Sequence, residues 1–177
     1  MKTFLLALLF SQSIMAGGIS GGGGNVILPT PPNVIQDPRE IRHIIRGSKS
    51  LLCKFISAKY ALYRSGSMSN DDMRMYSVLF LEDGFNLHEV MEEITLDIPI
   101  DRPCYDRDGN IFDGSTFNQK EHSVCISAYT IAKKVDLLEV PMQAAALAMH
   151  EFSEVVGLSD DDAIVLQKEV LDELKYW

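Results

Sequence analysis

The stretch from Pro141 to Gly157 constrains this chain more than any other. Proline suits the first turn of a helix and glycine suits its end. Between them stand Ala144, Ala145, Ala146 and Ala148, the residue type with the highest helix propensity. The spacing predicts about four turns. At about 100° per residue, Ala145, Ala148, Met149, Phe152, Val155 and Val156 share one broad arc, which must face a core. His150, Glu151 and Glu154 fall on the other side, with His150 and Glu154 one turn apart. Leu147 lies among them, and an apolar residue there implies a partly covered cleft. No other stretch brings titratable groups together at a spacing that chemistry could use.

The remaining composition bounds the scaffold. The chain has 177 residues with 46% apolar and 23% charged, enough for one folded domain. A formal charge of −9 disfavours an electrostatic nucleic-acid binder, which needs a basic face, and docking on anionic membranes. Residues 1–16 read as a secretory signal. Lys2 supplies the basic start, Phe4 to Phe10 the apolar run, and Ala16 the small residue at the cleavage point. That run is too short to span a bilayer, so no membrane insertion is expected after its removal. The expected location is periplasmic or secreted. Residues 17–37, with Gly21 to Gly24 and Pro29, Pro31 and Pro32, read as a flexible leader. No Gly-Lys-Ser or Gly-Lys-Thr follows the glycines, so a phosphate loop is excluded.

Residues 38–177 form the expected single domain. Asp37-Pro38 starts a helix whose apolar stripe includes Ile41, Ile45, Leu52, Phe55 and Ile56, with a break expected at Gly47-Ser48. Arg39, Arg42, Arg46, Lys49, Lys54, Lys59 and Arg64 are expected on its solvated face. Asn70 to Asp72 open a second segment, Met73 to Leu81, which is either helix or buried strand. Ile94 to Ile98 alternates as a strand, Asp108-Gly109 marks a tight turn, Ser123 to Ser127 returns as a strand, and Tyr129 begins a helix. Cys104 and Cys125 flank this hairpin region and are expected to form a disulfide. Cys53 is left over and is expected to be buried and inert.

The ordered set His150-Glu151-x-x-Glu154-x-x-Gly157-x-x-Asp160 resembles the zincin metallopeptidase signature H-E-x-x-H-x-x-G-x-x-H/D. In that family two histidines one helical turn apart bind zinc, the glycine turns the chain, a third ligand follows, and the first glutamate is the general base. The resemblance implies that His150, Glu154 and Asp160 are metal ligands and Glu151 the base. Zinc is the implied cofactor and a peptide or protein the implied substrate. Small exported zincin-like proteins also carry an acid-x-x-Ala step, here Asp160-Asp161-Asp162-Ala163, which makes Asp162 a rival third ligand. The sequence departs from the signature at Glu154, where histidine is the rule. One histidine with two carboxylates cancels the charge of a divalent ion and shifts preference toward manganese or magnesium.

A plainer assignment of the same residues is available. Ser159 followed by three aspartates makes a good helix start, with Ala163, Ile164, Leu166, Val170, Leu171 and Leu174 as the apolar stripe and Tyr176-Trp177 docking its end. His150 and Glu154 would then be an exposed pair. Asp106-x-Asp108-Gly109-Asn110 resembles the first half of a calcium loop, but Ile111 and Phe117 stand where glycine and glutamate are required, so a hairpin turn is expected. His43, His88 and His122 have no ligand partner nearby in sequence. The expected fold is α+β: helices packed on a small antiparallel sheet, with the motif helix followed by a C-terminal helix. The expected function is an exported zincin-like, metal-dependent peptidase. The alternative is a non-catalytic exported domain that keeps the motif helix as scaffold and binds protein.

Overall fold

The computed structural model describes residues 23–80, 87, 91, 93–118 and 123–176. The signal segment, His88, His122 and Trp177 lie outside the described residues. Helix α1 (Pro38–Arg64) is capped by Asp37, whose carboxylate accepts from the Arg39 amide. It runs without a break through Gly47-Ser48, where Ser48 is buried and its hydroxyl donates to the Ile45 carbonyl. Helix α2 (Asn70–Leu79) resolves the helix-or-strand alternative, and Ser69 is its cap. Strands β1 (Thr95–Asp97), β2 (Cys104–Tyr105), β3 (Ile111–Phe112), β4 (Gly114–Asn118) and β5 (Ser123–Ile126) follow. Helices α3 (Ala128–Lys134), α4 (Val140–Val155) and α5 (Asp160–Leu174) complete the order.

The fold is α+β, as expected, but the sheet is mixed. Its strand order is β1-β5-β4, with β1 parallel to β5 and β4 antiparallel to β5; β2 and β3 form a separate two-stranded ribbon. Asp106 makes the ribbon turn, accepting from the amides of Asp108 and Asn110 and from the Asn110 side chain. These bonds hold its carboxyl below the usual range. The Cys104–Cys125 disulfide forms as expected and ties the ribbon to β5.

Helix α4 is the centre. It packs against α1, α5, β4 and β5, and every residue from Gln143 to Glu154 is buried. Its alanines permit this, because small side chains let neighbouring elements approach from several sides.

Two further expectations for α1 are corrected. Cys53 is exposed, since it lies one residue, about 100°, off the buried stripe through Leu52, Phe55 and Ile56. Lys59 is buried, since it continues that stripe at four residues from Phe55. Its ammonium reaches Glu169 at 2.6 Å and also Glu173, both on α5, while the Tyr76 hydroxyl donates to Glu169 at 3.0 Å. Burial pulls the Lys59 pKa down, but the two carboxylates outweigh it and the net shift is upward. Burial, then Glu169, pushes Tyr76 up, so its phenol stays protonated. Tyr176 at the C-terminus is 89% exposed and does not dock.

The Lys59→Ala variant leaves two carboxylates facing each other on α5 without a cation. The glutamates remain partly solvated, so the expected loss is about 2 kcal/mol, below the range for breaking a fully buried pair. Urea denaturation of the variant beside the parent protein measures it.

Candidate metal centre

The geometry begins at the end of α4. Gly157 has φ 100°, a left-handed conformation that L side chains rarely adopt. Its amide donates to the Glu154 carbonyl at 3.0 Å and the next amide, Leu158, to the Ser153 carbonyl at 3.0 Å. This pair of bonds is a Schellman turn, sealed by burial of Leu158. The turn reverses the chain, and Ser159 at once caps α5, accepting from the Asp162 amide at 3.2 Å while its hydroxyl donates to the Asp162 carboxylate at 2.8 Å. Asp162 is therefore committed to the cap. Asp160, one residue into α5, turns back to α4 instead.

Three expected ligands converge. His150 Nε2 is 3.3 Å from Asp160 Oδ1 and 3.9 Å from Glu154 Oε1. One donor atom from each of His150, Glu154 and Asp160 lies within 4.8 Å of the others. Zinc ligands with bonds of about 2.0–2.1 Å stand roughly 3.3 Å apart in a tetrahedron, so the His150–Asp160 separation matches, while Glu154 at 3.9 Å from His150 would have to draw closer. The set also fits in its chemistry. His150 is 1% exposed, and neither ring nitrogen has a hydrogen-bond partner among the described residues. The Asp160 carboxylate approaches Nε2 at 3.3 Å and attracts the ring electrostatically. A buried imidazole with both nitrogens unpaired is costly, and a cation on Nε2 would relieve it. His150 and Glu154 are thus not the exposed helix pair of the plainer assignment, while Asp160 is exposed.

Glu151, the expected base, sits apart from this cluster and is fully buried. One carboxyl oxygen accepts from the Gly24 amide at 2.8 Å, and the other lies 2.9 Å from the Thr116 hydroxyl. The same hydroxyl is 3.3 Å from Glu154 Oε2. Threonine has one proton to donate, so it serves both carboxyls best when one of them is protonated. The electrostatics agree. Burial, then the neighbouring Glu154, pushes Glu151 well above the usual carboxyl range. Burial, then Asp160, pushes Glu154 up to about 7. Burial lowers His150, against the opposing pull of Asp160, so the imidazole is neutral and its lone pair is free for a cation.

Several contributing residues are missed by the sequence reading. Gly24 lies in the leader expected to be flexible, yet it touches the centre. Its Cβ position would fall 2.8 Å from both Glu151 Oε1 and Leu147 Cδ1, and at Gly114 it would also fall 2.8 Å from Glu151 Oε1. Thr116 and Asp113 have no flanking motif. Asp113 is fully buried and bonds Lys134 at 2.7 Å. His43 is exposed, on α1. Comparison with protein-family models, curated proteins and solved structures gives no match.

The raised Glu154 pKa has a consequence for stability. In the unfolded chain this carboxyl ionises near 4.5; in the fold it keeps its proton to about 7. Its contribution favours the fold at low pH and is lost as pH rises through about 7. His150 acts in the opposite sense: acid below its ordinary 6.5 favours the unfolded chain, which binds the proton more readily. Above about 6.5 only the carboxyl effect remains. Glu151, raised well above the usual range, acts in the same sense as Glu154. The metal-free protein should therefore lose stability from about pH 6.5 to 8, the Glu154 part ending a little above 7. Glu154→Gln should lessen that decline without abolishing it. Denaturant midpoints across this range provide the check.

Proposed function

We propose that this protein is an exported zincin-like domain in which His150, Glu154 and Asp160 hold a divalent cation, with Glu151 as the base of peptide hydrolysis. The observation that carries this reading is the convergence of three donor atoms from α4 and α5 on a buried imidazole with two unpaired nitrogens. The disulfide supports an oxidising compartment, and no helix of the described residues is long and apolar enough to cross a membrane.

A cation held by His150, Glu154 and Asp160 would supply Lewis acidity toward a peptide carbonyl or a water and would favour the ionised carboxylates. The chain's own residues do the rest. His150 presents a neutral nitrogen held by burial. Thr116 orients Glu151 from the β4 side and spans toward Glu154. Glu151 accepts and returns a proton, which requires it to be ionised and released from the Gly24 amide that covers one oxygen. Zinc is the first cation to test. One histidine with two carboxylates also suits manganese.

The second reading, a metal-stapled domain without catalysis, is favoured by one observation: both Glu151 oxygens already have protein partners. Two measurements separate the readings. Zinc or manganese at a hundredfold excess over Kd should stabilise the dialysed protein by about 2.7 kcal/mol, and His150→Ala should abolish the effect. Glu154→His should tighten zinc binding about tenfold by restoring the second imidazole. Absence of stabilisation by either metal would sink both readings. With metal bound, hydrolysis of a fluorogenic peptide library that falls at least about a hundredfold in Glu151→Gln supports the base assignment. Metal binding with no hydrolysis leaves the staple.

A further inference from the structure

Residues 23–30 lie along α4 as an arm running in the opposite direction. Gly24 meets Glu151, Ile27 meets Gln143 and Thr30 meets Glu139. The arm bends at Ile27–Leu28, where Leu28 has φ 41°, before Thr30 reaches Glu139. The arm's hydrogen bonds fall mostly on its backbone, while the Val26 and Ile27 side chains pack against the core. The Gly24 amide donates to Glu151 and its carbonyl accepts from the Gly114 amide at 2.9 Å, on the outer strand of the sheet. Gln167 donates to the Asn25 carbonyl at 2.8 Å, and the Val26 amide donates to Asp113 at 3.2 Å. Gln143 both accepts from the Ile27 amide, at 3.3 Å, and donates to the Ile27 carbonyl, at 2.8 Å.

Gln143 and Gln167 are 3% and 1% exposed, and Asp113 and Glu151 fully buried. Four buried polar side chains thus converge on one stretch of main chain. A buried polar group without a partner is strongly unfavourable, so this groove is built for an extended peptide backbone. Its selectivity is steric. A Cβ at Gly23 would fall 2.3 Å from the Phe112 ring, and one at Gly24 would fall 2.8 Å from Glu151 and Leu147. Two adjacent glycines are therefore required at this register. Beside them, a cavity of about 260 Å³ lined by Gly24, His150, Asp160 and Gln167 leads to the ligand cluster.

We propose that the groove formed by α4, α5 and the β4 edge is a binding site for extended peptides with consecutive glycines, and that residues 23–30 occupy it in cis. The inference deepens the peptidase reading by naming its substrate class, but backbone recognition needs no metal. An incoming Gly-Gly peptide takes the place of the arm and brings its own main chain to Glu151. While the arm is seated, the Gly24 amide keeps Glu151 covered.

The test uses the mature chain in chelator and a fluorescent peptide copying residues 21–30. Gly24→Val should unseat the arm, and this variant should bind the peptide at least tenfold more tightly than the parent, whose groove is filled. A peptide with valine at the Gly24 register should not bind. Circular dichroism and thiol titration confirm that the variant is folded and its disulfide closed. A folded variant that ignores the peptide, or that accepts the valine peptide equally well, overturns the proposal. Should Gly24→Val not fold, a protease site placed between Pro31 and Val34 lets the arm be cut in the folded parent. The labelled peptide, in excess, should then exchange with the cut arm. Failure to exchange, or unfolding with the peptide present, overturns the proposal. Loss of metal binding leaves these outcomes untouched, and loss of peptide binding leaves the metal titration standing, so the two readings fail separately.

Discussion

The structure depends on how one carboxyl, that of Glu151, is kept in the interior. It lies on the central helix, fully buried, with Glu154 as a close acidic neighbour. An ionised carboxylate in such a place is strongly disfavoured, so the group retains its proton and takes partners from two directions. Thr116 reaches it from β4 and Gly24 from the N-terminal arm. The same bonds fix where the edge strand and the arm sit on α4. Polar satisfaction here sets tertiary position, which hydrophobic packing around a run of alanines would leave loosely specified.

The ligand cluster follows from a different economy of parts. One left-handed glycine after α4 brings Asp160 back toward His150, and the serine two residues later releases that aspartate from capping by engaging Asp162 instead. A helix end, a turn and a helix start, each satisfying its own backbone, thereby produce a three-residue centre without any strand or loop insertion. Glu154 is the distinctive member. Through the Thr116 hydroxyl it is connected to Glu151, so the candidate metal ligands and the buried carboxyl share one partner.

Much of this was legible in the residues. Pro141 and Gly157 bracket α4, Ser159 starts α5, the stripe through Ile41, Leu52 and Phe55 marks α1, and Cys104 and Cys125 find each other. These are local signals, and the cysteine pairing follows from the hairpin that Cys104 and Cys125 flank. The parallel pairing of β1 with β5 was not legible, because a short alternating strand carries no mark of direction. Strand β4 was missed because Gly114-Ser115-Thr116 lacks the apolar alternation that announces strands. Lys59 was assigned to solvent by its charge, although its position on the stripe placed it inside. The arm was the largest omission. Its glycines and prolines match the composition of a flexible leader, and the side chains that seat its backbone lie between 87 and 142 positions away.

The disulfide has a reach beyond the two strands it joins. Cys104 pairs across the ribbon with Phe112, and the ring of Phe112 lies over Gly23. Oxidation at Cys125 thus fastens Cys104, Cys104 fastens the aromatic ring, and the ring closes over the first glycine of the arm. The disulfide is in this way connected, through one backbone pairing and one ring, to the end of the arm that lies on α4.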